Sequence, residues 1–155
     1  MVLPIVIYPD DVLRQKAVSI KTPFESSIKE LIFDMLETMD DNGNALGLAA
    51  PQVGKSLRLC IIKFEGKTHI LINPQIKNKS WKKEVGEEGC LSFPGKFLAI
   101  KRSAKVTVMA LDKDENPIEI KASGLLARAL QHEIDHLNGI LFIDRVDKKY
   151  KEYKE

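Results

Sequence analysis

Cysteine and histidine are both scarce, with two and three residues respectively in a chain of 155. Cys60 and Cys90 cannot build a disulfide framework, so a reducing cytoplasm is the expected compartment. Net charge is low as well. A formal +2 is too small to argue for a direct nucleic-acid or membrane partner, and neither is expected. No apolar run approaches membrane-spanning length, and the start lacks a positive n-region followed by an apolar h-region. Repeats, low-complexity blocks and linkers are also missing. That leaves one domain over 1–155, ending in a charged terminal segment over 144–155.

The informative stretch is Gln131-His132-Glu133-Ile134-Asp135-His136. Residues four apart share a helix face, so His132 and His136 can reach one divalent cation together. Glu133 is one step round, close enough to meet a water on that ion without ligating it. His-Glu-x-x-His is a metallohydrolase signature with this mechanism attached. Ser123-Gly124 opens the segment and Asn138-Gly139 closes it, as helix start and stop signals should. Leu125, Leu126, Ala127, Ala129, Leu130, Ile134 and Leu137 put apolar residues on most faces, which predicts a buried helix. Imidazoles and charges inside such a helix need partners, and a metal supplies them.

Upstream, Asp10 or Asp11 can cap a brief helix through Val12–Lys16. Ile28, Leu31, Ile32, Met35, Leu36 and Met39 have helical spacing, with Ser27 and Glu30 at capping-box positions. Ala45 to Gln52 reads as a loop of small residues, either a tight packing turn or a place where a ligand approaches closely. Leu57–Phe64 and Thr68–Asn73 form a hairpin turning at Glu65-Gly66-Lys67 and ending at Pro74. Trp81–Glu88 is more polar and edge-like. Lys105–Leu111 and Pro117–Lys121 make a second hairpin that runs into the histidine helix. The fold class is α+β, with antiparallel β-hairpins packed around a central metal-binding helix.

Two histidines need a third ligand. A third histidine at extended zincin spacing is excluded, because Phe142 stands at the position that matters. Glu152 and Glu155 lie in a lysine-rich tail. Cys90, in Glu88-Gly89-Cys90-Leu91-Ser92, offers a thiolate in a loop between strands. Cys with two His is a ligand set that leaves a fourth position for water. Cys60, between Leu59 and Ile61, reads as a buried hydrophobe, and His69 as structural.

Ala45–Gln52, Glu88–Ser92 and Gln131–His136, in this order and at these separations, resemble the three motifs of peptide deformylase. The likeness runs from Tyr8-Pro9 to about Val146. It implies removal of the N-formyl group from the initiator methionine of nascent polypeptides, with release of formate. It assigns Cys90, His132 and His136 to one divalent metal ion, Fe2+ in the cell, with Zn2+, Ni2+ or Co2+ tolerated. Glu133 then handles protons, and Gln52 with the Leu91 backbone N–H binds the oxyanion. Leu46, Leu125 and Ala129 are expected to form an apolar slot for the methionine, with Gly47 and Gly89 beside the substrate. Arg128 either flanks that slot or faces solvent.

Two departures from the family pattern stand out. Ala45 replaces a usual glycine, and Phe97 replaces an arginine that helps many bacterial members hold the substrate backbone. Arg102 is retained and is expected either to pair with Glu88 or to be a solvated strand-end charge. A monomer is expected. The tail from Asp147 to Glu155 is either a solvated charge run or a transient ribosome contact. Rival readings are a metallopeptidase on the same helix and a non-catalytic N-terminus-binding module with a structural metal. A closed structural site would have no use for the Glu133 carboxylate.

Overall fold

The computed structural model describes residues 1–43 and 45–147. Its framework is a five-stranded antiparallel sheet in the order β1 (Gly47–Ala49), β2 (Leu59–Phe64), β3 (Lys67–Lys79), β6 (Lys105–Leu111), β7 (Pro117–Ser123). A second sheet pairs β4 (Lys83–Gly89) with β5 (Phe97–Ser103). Helix α1 covers Ser26–Asp41 and helix α2 covers Gly124–Leu137. The architecture is α+β, as the sequence pattern requires.

Alternation along β2 explains how one sheet serves two helices. Cys60 and Ile62 face a core shared with Ala127, Leu130, Ile134 and Leu137 of α2. Leu59 and Ile61 face the opposite core, with Ile28, Leu31, Ile32, Met35 and Met39 of α1. Successive strand side chains point to opposite faces, so a continuous apolar run is what a strand buried on both sides needs. A third cluster, Leu13, Phe93, Leu98, Ile100, Leu141 and Phe142, joins the small sheet to the chain termini. Helix α2 is thus enclosed, and every residue from Ala129 to Leu137 is buried.

The hairpins follow their turn chemistry. Glu65 and Gly66 both have positive φ (49° and 76°), the two-residue turn whose twist suits antiparallel strands. Asp112 Oδ1 accepts the amides of Asp114 and Asn116 at 2.8 and 2.9 Å and shapes the second turn. Asp10 caps the first helical turn (Asp11–Arg14) by accepting from Val12 N at 3.1 Å.

Three sequence expectations need correction. The α1 N-cap is Glu25 without a side-chain bond, so Ser27 and Glu30 lie inside the helix and form no capping box. Pro74 does not end β3. The register slips between Ile72 and Gln75, and Asn73 takes φ 52°, a bulge in which a proline needs no amide partner. Asn73 instead ties its side chain to Ile20 N and O, both at 2.8 Å. Finally, β5 was not anticipated, although it gives β4 its partner. The stretch expected as a loop between Ala45 and Gln52 contains the short edge strand β1 and a helical turn, Ala50–Val53.

The α2 helix ends at Gly139, whose φ of 73° and crowding distinguish it from a mere turn glycine. A Cβ there would stand 2.5 Å from Arg14 O, whereas one on Gly43 (φ 78°) would meet nothing within 4 Å. Gly139→Ala is therefore expected to destabilise by well over the ~1 kcal/mol of a positive-φ penalty. Gly43→Ala carries that penalty alone. Thermal denaturation of the two variants checks the difference.

Candidate metal centre

The helix face expected from the His-x-x-x-His spacing is present. His132 and His136 lie one turn apart with ring centroids 5.1 Å from each other. The loop that follows β4 brings in the third group. Ligand atoms of Cys90, His132 and His136 all lie within 4.8 Å of one another. Cys90 Sγ is 3.4 Å from His136 Nε2. Thiolate and imidazole bonds of roughly 2.3 and 2.05 Å at a tetrahedral angle place the two donor atoms about 3.6 Å apart, so the spacing fits one ion.

Glu88 organises the imidazole behind that face. Its Oε1 accepts His132 Nδ1 at 2.8 Å and Arg102 Nη2 at 2.9 Å. Its Oε2 accepts Arg102 Nε and Arg128 Nη1, each at 2.7 Å. An ionised carboxylate can only accept, so His132 donates from Nδ1, which leaves Nε2 as the nitrogen that would ligate a metal on giving up its own proton. Burial pushes the Glu88 carboxyl up, but the bonds and charges of Arg102 and His132 hold it well below the usual range. Arg102 also reaches Asp135 Oδ2 at 2.8 Å, and Asp135 takes Arg145 Nε at 2.5 Å. Arg128 flanks the cavity rather than facing solvent, the first of the two placements expected for it, and it further donates to Ile100 O and Glu84 O at 2.8 and 2.9 Å. Gly86 makes room for it, since a Cβ there would meet Arg128 Cζ at 2.9 Å.

Glu133 occupies a different setting. It is buried, and its Oε1 has no hydrogen-bond partner among the described residues. Burial raises its pKa to about 7, the opposing charge of His132 notwithstanding. Its other oxygen lies over Gly47, where a Cβ would stand only 2.5 Å away. Burial and the neighbouring charges of His132 and Arg102 push the His136 imidazole well down, keeping it neutral and able to ligate. Its Nδ1 also lacks a partner among the described residues. A buried carboxylate and imidazole left in this state beside a thiol are costly without a cation. The donor set, the spacing and these orphaned atoms together fit a divalent metal.

Gln52 is buried beside the thiol. Its Oε1 accepts Ala49 N at 3.0 Å, and its Nε2 donates to Ser92 Oγ at 3.2 Å and to Cys90 Sγ at 3.4 Å. The Leu91 N–H makes no hydrogen bond among the described residues. Gln52 and Leu91 share a cavity of about 530 Å³ with Cys90, His132 and Glu133. Leu46, Gly47, Gly89, Phe97, Leu125, Arg128 and Ala129 also line it. Ala45 also lines it. Phe97 lies against Gly89, where a Cβ would come within 2.8 Å of the ring.

Cys60 is fully buried in β2, and His69 lies in β3 apart from the triad. Asp147 is described but the rest of the tail, 148–155, lies outside the described residues. Sequence reasoning missed Ser92, Asp135 and Arg145, and the contact from His132 to Glu88. Ionisable residues in an otherwise apolar helix were the available signal for Asp135.

A buried helix presenting two imidazoles and a carboxylate to a loop thiolate, open to an apolar cavity, defines a metal-dependent hydrolase. Comparison with known proteins gives the family. A family model described as polypeptide deformylase matches residues 2–152, and the chain belongs to that family. It is 46% identical to a peptide deformylase of Thermodesulfovibrio yellowstonii, covering 97% of this chain and 93% of the relative. The crystal structure of peptide deformylase from Thermotoga maritima superposes with a TM-score of 0.90 at 40% identity, covering 95% of this chain and 99% of that one. A Met-Ala-Ser-bound class I type b peptide deformylase from Acinetobacter baumannii gives 0.90 at 34% identity, covering 94% and 99%.

Two substitutions probe this geometry. Glu88→Gln weakens the orientation of His132 and leaves buried guanidinium charge unpaired. Metal retention against a chelator is expected to fall ~10–100-fold, with stability lower by about 3 kcal/mol or more. Gly47→Ala displaces Glu133 while leaving the fold intact. Turnover is expected to fall ~100-fold at a melting temperature close to that of the parent protein.

Proposed function

We propose that the chain hydrolyses the N-formyl group of formylmethionyl peptides, releasing formate and a free α-amine, with Cys90, His132 and His136 holding one divalent metal. The observation that carries this reading is Glu133, a buried carboxylate with a pKa near 7 and no partner on Oε1, beside the ligand triad. A structural metal site has no need for such a group. A hydrolase does, because the same carboxylate can take a proton from water and deliver it to the departing nitrogen. The ion, when bound, supplies the Lewis acidity that brings the pKa of a water down toward roughly 7.

The remaining work belongs to the chain. Gln52 is oriented at both ends, its oxygen by Ala49 N and its nitrogen by Ser92 Oγ, so Nε2 is aimed at the cavity side of Cys90. Together with the Leu91 N–H it donates to the oxyanion that develops as the formyl carbon becomes tetrahedral. Leu46, Leu125 and Ala129 receive the unbranched methionine side chain, and Gly47 and Gly89 let the substrate backbone come close. The Met-Ala-Ser ligand of the Acinetobacter relative supports a peptide N-terminus as the occupant.

Fe2+ is the ion expected in the cell, with Zn2+, Ni2+ and Co2+ as alternates, and metal analysis of anaerobically purified protein tests it. The setting is cytoplasmic and the protein acts as a monomer on nascent chains. No helix among the described residues is long and apolar enough to cross a membrane.

Formyl-Met-Ala-Ser is expected to yield formate, and the unformylated peptide to remain uncleaved. Glu133→Ala retains the metal and loses turnover, whereas Cys90→Ala loses the metal. Gln52→Ala lowers kcat by ~10²–10³-fold, the usual effect of deleting one oxyanion donor. Full activity in Glu133→Ala would remove that residue from the mechanism.

A further inference from the structure

Ile7, Leu46, Phe97 and Leu125 are large apolar side chains that the fold leaves exposed, and all four line the cavity in front of the ligand triad. Single exposed apolar residues are ordinary, but a set gathered at one opening marks a binding surface. The cavity, at about 530 Å³, is of the size that takes a drug-sized ligand. One unbranched side chain fills only part of it. Leu46, Leu125 and Ala129 suffice for the methionine, which leaves Phe97 and Ile7, each about half exposed, without an assigned occupant.

Phe97 is the better placed of the two. It opens β5 as the register partner of Gly89, the residue before Cys90. Two turns close the loop between the strands: Phe93 N donates to Cys90 O at 2.9 Å, and Lys96 N to Phe93 O at 3.1 Å. The ring is thereby pinned relative to the thiol. It lies over Gly89, where a Cβ would stand 2.8 Å from Cε1 and 3.0 Å from Cδ1. Covering a strand glycine with a cross-strand ring is a structural device in its own right. It does not need the rest of the ring to be left open in a cavity, and here it is. Whatever approaches the Gly89 backbone from the cavity meets the ring.

We propose that Phe97 is a specificity-determining residue, selecting substrates whose second residue, the one after formylmethionine, carries an apolar and preferably aromatic side chain. This preference rests on the proposed deformylation of formylmethionyl peptides and adds the class of sequence that the site takes best. With the formyl group at the triad and the methionine along Leu125 and Ala129, the next residue passes the walls that remain. Successive side chains of an extended peptide point to opposite sides, so the second one turns from the α2 slot toward the mouth, where Phe97 stands. Charge selects nothing there. Glu87 and Lys96 line the cavity with opposite signs, and Arg128 is bonded to Glu88. Apolar surface is what this wall offers.

The test measures formate release by the metal-loaded protein from formyl-Met-Phe-Ser, formyl-Met-Leu-Ser and formyl-Met-Ser-Ser. Parent kcat/KM is expected to favour Phe over Ser by about tenfold, as for a partly buried large apolar side chain. The difference falls on KM, because the contact is the same in ground and transition states. Phe97→Ala is expected to cut this preference about fivefold, the usual contribution of an aromatic pair. Phe97→Leu keeps the preference for Leu over Ser and loses that for Phe over Leu. A ring that only covers Gly89 predicts something else: a lower melting temperature in Phe97→Ala, with the rates on all three peptides reduced by one factor. That result would overturn the proposal. Equal kcat/KM for the three peptides in the parent protein would also overturn it and leave the deformylase reading intact. No formate from any of them refutes that reading, and the proposal with it.

Discussion

A single buried carboxylate, Glu88, couples the ligand triad to the scaffold. It is the penultimate residue of β4, directly before Gly89-Cys90, and it accepts from Arg102 on β5 and from both Arg128 and His132 on α2. A charge taken out of water is tolerable only when its lone pairs are filled, and these four bonds fill them. The same four bonds fix the distance between the loop that carries the thiol and the helix that carries the imidazoles. Asp135 and Arg145 extend the network toward the C-terminal side of α2, so the helix is held along its length. An apolar replacement could pack as well, but it could not set the His132 tautomer. The ionic arrangement belongs to function, and the fold is built to accommodate it.

How far the sequence disclosed this arrangement depended on whether the information was local. Helix α2 and its histidine face were legible because periodicity of 3.6 is written into consecutive residues. The Glu65-Gly66 hairpin was legible for the same reason. Strand β5 was not, because Phe97–Ser103 mixes an apolar run with Lys101 and Arg102 and shows neither clean alternation nor a strong turn of its own. The passage of β3 through Pro74 was hidden by a rule that holds for regular ladders and fails at a bulge. Cys90 could be singled out as the cysteine without an apolar setting, yet its convergence with histidines more than forty residues on is tertiary information. The resemblance supplied that order of motifs, and the 3.4 Å spacing supplies the convergence.

Two carboxylates one helix apart in chemistry illustrate why burial alone assigns no role. Glu88 and Glu133 are both buried, yet one is held well below the carboxylate range and the other is raised to about 7. The difference lies in partners. Arg102, Arg128 and His132 surround the first, while the second has Gly47 and an unpartnered oxygen. A permanently ionised group suits orientation; a group near neutrality suits proton transfer. Glycine at position 47 is what permits the second setting, since any side chain there would occupy the space of the carboxylate.

The departures from the family pattern act at the cavity mouth and leave the centre untouched. Ala45 lines the cavity beside Leu46. Phe97, 53% exposed, opens β5 directly opposite Gly89, with its ring resting where a Gly89 side chain would be. A guanidinium at that point would donate to a substrate carbonyl; a phenyl ring can only offer surface. With Leu46 and Leu125 also partly exposed around the opening, the entrance is apolar on more than one side. That division, an ionic scaffold behind the ligands and an apolar entrance before them, lets the entrance vary without disturbing the centre.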